Sequence, residues 1–278
     1  MPVLHAIVLG LVQGITEFLP ISSSGHLQLV PWLLGWDDFA GQPGVEQAFD
    51  VALHLGTLAG VVAYLWSDVS RLARCGIQSL TRRGPVTNEG RMAWLLVASA
   101  VPAAALGAVL DDAFARMGEV EWGIGLGLVV FGLVLAWADR LAGKRSVENF
   151  ELRDATVMGV AQAIALSPGV SRSGITMAAA RRLGYTRDAA ARLSFLMGLP
   201  VIAGALLWSG LGLLNDGLPP GMGLPLAVGV ATSGVSGWLA VWAILRIIRT
   251  RTFTPFVIYR VLVGVGVMAL AFGGFRAG

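Results

Sequence analysis

Charge is scarce in this sequence. Asp, Glu, Lys and Arg make up 13% of its 278 residues, against about 25% in a soluble globular chain. With 55% hydrophobic content, that deficit excludes an ordinary soluble domain. Cysteine is nearly absent, and the one present, Cys75, excludes an internal disulfide and a zinc site of the usual Cys/His spacing. No Walker loop or dinucleotide fingerprint occurs. The arginines fall in short loops rather than on one soluble face, so nothing supports nucleic-acid binding. The first apolar run lacks a basic leader and is cut by Gln13 and Glu17, so it does not read as a signal peptide.

Long apolar runs fill the space that charge leaves. A helical bilayer crossing takes about 20 residues, and six segments satisfy this, at about 47–66, 92–110, 122–138, 193–210, 224–246 and 257–274. Two more apolar regions, 2–30 and 155–180, are broken by Pro, Gly and Ser. Irregular backbone survives at membrane depth only where protein or a wet cavity satisfies it. Each broken region therefore predicts a re-entrant helical hairpin.

Loop charges test this count. Loops 67–91, 181–192 and 246–260 are rich in arginine, and 139–154 is mixed. Loops 31–46 and 111–121 are acidic, and 211–223 carries only Asp216. Basic loops mark the cytoplasmic side. Every loop lands on the side its charge demands only if 155–180 returns to the side it entered. Both termini are then external, and the expected location is a bacterial inner membrane.

The halves also match. Shifted by 149 residues, Gly10 meets Gly159, Gln13 meets Gln162, Ser22 meets Ser171, Ser24 meets Ser173 and Gly25 meets Gly174. At a shift of 142, Gly56 meets Gly198, Leu65 meets Leu207 and Trp66 meets Trp208. Each half is one hairpin plus three spans, so the second enters from the opposite face. The predicted fold is an all-α polytopic membrane protein, one membrane domain over 1–278, built as an inverted-topology repeat of six transmembrane helices and two re-entrant hairpins. Repeat one covers about 1–138 and repeat two about 155–278.

Opposed hairpins bring their polar turns together near the midplane. The first turn supplies Glu17, Ser22, Ser23, Ser24, Gly25 and His26, and the second Ser171, Arg172, Ser173, Gly174 and Thr176. Ionisable groups at this depth are costly and mark function. A planar Arg172 guanidinium, turn N–H groups and hydroxyls suit an anion such as phosphate. Ser22, Ser24, Gly25, Ser171, Ser173, Gly174 and Thr176 are the expected phosphate-binding positions. Ser23 or His26 supplies a nucleophile, and His26 beside a serine could act as its base. Glu17 could orient the histidine, hold a proton or, with Gln13 nearby, ligate Mg or Ca. Taken singly, each serine reads as structural. His54 could line the cavity but reads more readily, with Asp50, as lying near the external interface, and Tyr259 and Arg260 could reach headgroups, though nothing in the sequence fixes that. An inverted repeat also suits a lipid-phosphate or anion transporter or flippase, which needs no nucleophile.

Two motifs complete the reading, Gln13-Gly-Ile-Thr-Glu17-Phe-Leu-Pro20-Ile-Ser-Ser-Ser-Gly-His26 and Pro168-Gly-Val-Ser-Arg-Ser-Gly-Ile-Thr176. On these the chain resembles the integral-membrane undecaprenyl-diphosphatase family, also called the bacitracin-resistance protein family, from end to end. The resemblance implies hydrolysis of undecaprenyl diphosphate to undecaprenyl phosphate, which recycles the lipid carrier of peptidoglycan synthesis. It implies dependence on a divalent cation, a mainly periplasmic or extracellular catalytic face, and Glu17, Ser23, His26 and Arg172 as essential residues. Gln13 departs from the family, standing where many members are acidic, which weakens a two-carboxylate metal site. The expected partners are a polyprenyl diphosphate and bilayer lipid, with a homodimer left open.

Overall fold

The computed structural model describes residues 1–39, 43–81, 86–118, 120–216 and 221–276. Among these the regular structure is helical. Helix α1 (Val3–Phe18) stops where Leu19 turns extended, and α2 (Ser23–Leu34) runs back until Gly35 takes the left-handed conformation, φ 70°. Its two ends close on each other. His5 Nδ1 lies 2.8 Å from Asp38 Oδ2, and the His5 ring stacks on Trp36 at 3.7 Å. Region 2–30 is thus a hairpin that leaves by the end it entered.

Helices α3 (Pro43–Tyr64) and α4 (Trp66–Thr81) meet at 91°. There follow α5 (Asn88–Ala98), α6 (Val101–Gly118), α7 (Glu121–Asp139), α8 (Leu152–Ile164), α9 (Arg172–Arg182), α10 (Arg187–Asp216), α11 (Gly223–Ile247) and α12 (Thr254–Phe272). Helices α8 and α9 form the second hairpin. Arg145 clamps its open end, pairing with both oxygens of Asp154 at 3.0 and 2.6 Å and lying over the Tyr185 ring, 4.4 Å from its centre. Burial, and then donation to Asp154, push the Tyr185 hydroxyl above its ordinary range.

The expected spans and loops differ from the structure in detail. Among the described residues five stretches are by themselves long and apolar enough to cross a bilayer, and α3 with α4 makes a sixth as a bent pair. Glu46, Asp50 and His54 make α3 more polar than a simple span, and His54 comes within 3.6 Å of Glu17 in the site described below. The supposed loop 67–91 contains α4, an amphipathic helix that buries Leu72 and Gly76. The span placed at 92–110 begins at Asn88 and breaks after Ala98. In the second match, Trp208 lies outside the side chains described, as do those of 111–119.

The three basic loops and the mixed one share one end. One cavity there is lined by Asp68, Arg71, Glu89, Arg91, Glu148, Glu151 and the start of α10, and its neighbour by Asp139–Lys144, Arg181, Arg187 and Arg249. Thr186 and Asp188 belong to both. Trp36, Phe39 and Val45 pack with Met222 and Leu226 around Phe49 and Leu53 at the other end. The two hairpins therefore open at opposite ends, with their tips between.

Close helix packing holds this arrangement, as expected where water cannot drive association. Helix α1 lies along α11, α11 along α3, and α7 along α12. Small residues line the crossings. A Cβ on Gly10 would sit 2.1 Å from Thr232 Oγ1, and one on Gly14 1.9 Å from Ser236 Oγ and 2.5 Å from the Ser233 carbonyl oxygen. Where α7 crosses α12, a Cβ on Gly125 would come within 2.8 Å of the Gly264 carbonyl oxygen. Gly14→Val should force α1 off α11 and destabilise the protein by about 1–3 kcal/mol. A thermal melt in detergent checks this, and an unchanged midpoint contradicts the packing described.

Candidate active site

Both tips use one backbone device. Ser22 (φ 78°, ψ 97°) and Ser171 (φ 72°, ψ 109°) are N-caps in a region that residues other than glycine rarely adopt. Such strain costs about 1–3 kcal/mol per residue and persists only where the surroundings fix it. Ser22 Oγ accepts from the Gly25 N–H at 3.4 Å, and Ser171 Oγ from the Gly174 N–H at 3.1 Å. The N–H groups of His26 and Ile175 reach the carbonyls of the same two caps. A helix start leaves its first N–H groups without intrahelical partners. Those of Ser23 and Ser24 on α2, and of Arg172 and Ser173 on α9, remain at the tips.

Arg260 joins the tips. It is fully buried on α12. Nη1 donates to the Pro20 carbonyl at 3.0 Å, and Nη2 to those of Gly169 and Val170, each at 3.0 Å. Nε donates to Leu128 on α7 at 3.1 Å. One guanidinium thus satisfies carbonyls of both tips, Pro20 and Gly169 holding matched positions. The second tip also needs glycine at 169: φ is +80°, and a Cβ would lie 2.5 Å from the Ile124 carbonyl oxygen. Arg260 does not reach headgroups, as its place near a helix start suggested. Only its charge inside an apolar span signalled a buried role.

The chemistry converges on Glu17. Its Oε1 accepts from Arg172 Nη2 at 2.7 Å, across the two hairpins. Its Oε2 accepts from Ser23 Oγ at 2.6 Å and from Gln13 Nε2 at 3.2 Å, one turn back on α1. Arg172 Nη1 donates to the Ser194 carbonyl on α10 at 2.9 Å. Gly198 makes room for that guanidinium, since a Cβ there would stand 2.0 Å from Arg172 Nη1. His54 takes the less expected of the two places that sequence left open to it, beside the cavity. Its Nδ1 donates to the Asp50 carbonyl at 2.7 Å, and its Nε2 lies 3.6 Å from Glu17 Oε2. It is not set apart at an external interface.

His26 is not on Ser23. Its Nδ1 donates to the Ser22 carbonyl at 2.7 Å, which leaves Nε2 to accept from the Tyr259 hydroxyl at 2.7 Å. Both ring nitrogens are engaged, so neither the carboxylate–histidine pair nor the histidine–serine pair expected from sequence is formed. Most of the expected phosphate-binding hydroxyls are also engaged. Ser22 and Ser171 cap helices. Ser173 Oγ donates to the Leu19 carbonyl at 3.0 Å, and Thr176 bonds the Arg172 carbonyl and Ser194 Oγ, each at 2.7 Å. The N–H groups of Gly25 and Gly174 are held by the caps. Ser23, exposed Ser24 and Arg172 remain on the open side. Gln13 Oε1 is buried beside Glu17 with no hydrogen-bond partner. Among the described residues no three carboxylate, histidine or cysteine groups cluster as metal ligands.

A family model described as "Bacitracin resistance protein BacA" matches residues 6–266. An undecaprenyl-diphosphatase of Pelobacter propionicus is 45% identical over 276 residues, covering 99% of each chain. One from Geobacter sulfurreducens is 46% identical, covering 98% of this chain and 99% of its own. One from a Nocardioides species is 42% identical, covering 99% and 98%.

Arg260→Met should strand carbonyls of both tips, at about 1–3 kcal/mol for each buried group left unpaired. Thermal unfolding in detergent should show a large drop in midpoint. An unchanged midpoint would mean that the tips do not depend on this side chain.

Proposed function

The chain belongs to the bacitracin resistance protein family and is a membrane phosphatase of undecaprenyl diphosphate, and we propose that Ser23, Glu17 and Arg172 perform its reaction. The single observation behind this is the 2.6 Å bond from Ser23 Oγ to Glu17 Oε2, with Arg172 on the other carboxylate oxygen.

The terminal phosphate of the substrate meets the Arg172 fork and the N–H groups of Ser23 and Ser24 at the start of α2, while the prenyl chain stays in lipid. A guanidinium drawn toward phosphate leaves Glu17 with less positive charge beside it and makes it a stronger base. Ser23 Oγ then attacks the terminal phosphorus and its proton passes to Glu17. The Oγ–P bond forms as the bridging P–O bond breaks, and the electron pair leaves with undecaprenyl phosphate. Water attacks the phosphoserine, Ser23 departs with the proton from Glu17, and inorganic phosphate is released. Phosphoryl transfer asks mainly for positioning and charge neutralisation. Gln13 donates to the carboxylate and His54 stands beside it, while His26, tied to Tyr259, braces the strained cap at Ser22. The occupied nitrogens of His26 favour Ser23 as nucleophile.

Glu17 and the unpartnered Gln13 Oε1 are the oxygens that would hold a divalent cation, with substrate phosphate oxygens completing its shell. Such an ion would neutralise the diphosphate. We read the basic end as facing the cytoplasm, in keeping with the positive-inside rule, with both termini outside and the protein in the inner membrane. We read the chain as one membrane domain of two inverted halves. A transporter would need neither the serine nor its base, and the family gives that reading no support.

Phosphate release from undecaprenyl diphosphate in detergent, where no compartments exist, tests the assignment. Ser23→Ala and Arg172→Ala should each reduce turnover by about 10³-fold or more. Gly198→Ala should displace the Arg172 guanidinium from Glu17, reducing turnover and lowering the melting midpoint by no more than Arg172→Ala does. Near-normal turnover in Ser23→Ala would remove the serine from the chemistry.

A further inference from the structure

The basic end carries two neighbouring cavities of opposite character. The first, about 560 Å³, is lined by five acidic side chains (Asp68, Glu89, Glu148, Glu151, Asp188) against Arg71, Arg91 and Arg192. The second, about 620 Å³, is lined by Arg140, Lys144, Arg181, Arg187 and Arg249 against Asp139 and Asp188. The general excess of basic residues in cytoplasmic loops accounts for both sharing this end. It does not account for the sorting of charge between them.

Both acids of the second cavity sit beside arginines, although one Asp188 oxygen is buried without a hydrogen-bond partner. Asp139 accepts from Arg187 Nε through one oxygen and from the Phe253 N–H at 2.9 Å through the other. Asp188 accepts from Arg192 Nε at 3.0 Å, and Arg249 Nε stands 3.7 Å from its second oxygen. Arg140 and Lys144 are exposed and have no side-chain partner among the described residues. Arg181, 4% exposed, donates to the carbonyls of Tyr185, Leu141 and Asp139, yet its Nε is buried without a partner. The lining is thus a set of guanidinium and ammonium groups in excess of the carboxylates that could neutralise them. Part of the wall is apolar, from Leu141, Ala142 and Ile248. The last turns of α7 and α11 beside it expose Trp137 and Ile247, the kind of surface that faces lipid.

We propose that this cavity binds the phosphate group of an anionic glycerophospholipid from the leaflet at the basic end, with Arg140, Lys144, Arg187 and Arg249 around the phosphate and Trp137 and Ile247 against the acyl chains. Basic pockets between helix ends on the cytoplasmic side are suited to such headgroups. The site lies at the open end of the second hairpin, away from Glu17 and Ser23, and is separate from the substrate pocket. It does not depend on the catalytic assignment.

Full-length protein in nanodiscs of mixed phosphatidylglycerol and phosphatidylcholine tests it, with retained lipid counted by native mass spectrometry. The wild type should retain phosphatidylglycerol over phosphatidylcholine by about tenfold, and Arg140→Glu with Lys144→Glu should abolish the preference. If that variant does not fold, Arg140→Gln with Lys144→Gln is measured and should weaken it. A preference unchanged in the folded variant overturns the proposal. A parallel arm adds inorganic phosphate to the lipid-free protein in detergent. Thermal protection by phosphate without any lipid preference would identify a free-anion site and equally overturn the lipid assignment.

Discussion

Two chain reversals inside a membrane protein leave carbonyl oxygens with no water to turn to, and Arg260 is the group that satisfies them. Its guanidinium bonds Pro20 on one tip and Gly169 and Val170 on the other. Everything in the candidate site follows from that junction. With the tips held together, Glu17 on the first hairpin and Arg172 on the second come within 2.7 Å. The strained caps at Ser22 and Ser171 persist because both sides of each turn are fixed. The glycine crossings of α1 with α11 and α7 with α12 keep the surrounding helices near enough for the junction to form.

The two tips share a backbone but not a chemistry. Ser22 and Ser171 adopt nearly the same dihedrals and cap their helices in the same way. At the next position, the first residue of each helix, one half carries Ser23 and the other Arg172. Where the first half has Glu17, the second has Leu166. The amide at Gln13 has its counterpart at Gln162, yet Gln13 donates to Glu17 while Gln162 is buried with no hydrogen-bond partner. A matched frame thus holds Glu17 and Ser23, the base and nucleophile we propose, on one side and the Arg172 guanidinium on the other. Their alignment is inherited from the matched backbone.

Much of this was legible in the sequence. Proline, glycine and serine inside apolar runs marked both hairpins, and loop charge showed that 155–180 returns to its own side. The spacing of Gln13 and Glu17 put both on one helix face, as observed. Side-chain direction was not legible. His26 lies three residues beyond Ser23, but the first turn of α2 points it at Tyr259, more than two hundred residues away in the chain. His54 reached the site through the position of α3, which no local pattern records. Arg260 carried a signal, a charge within an apolar span, but its partners are carbonyls, and carbonyls leave no mark in a sequence. Helix α4 was hidden by its charges, which made an amphipathic helix resemble a loop.

The central claim is that the two hairpins make one site through the contact of Glu17 with Arg172. A double-mutant cycle on unfolding in detergent, with Glu17→Gln, Arg172→Gln and the pair, measures that contact directly. A coupling energy of about 1 kcal/mol or more is predicted, because each single change strands a buried charge that the double change removes. Losses that add to within about 0.3–0.5 kcal/mol would show two independent tips and contradict the account.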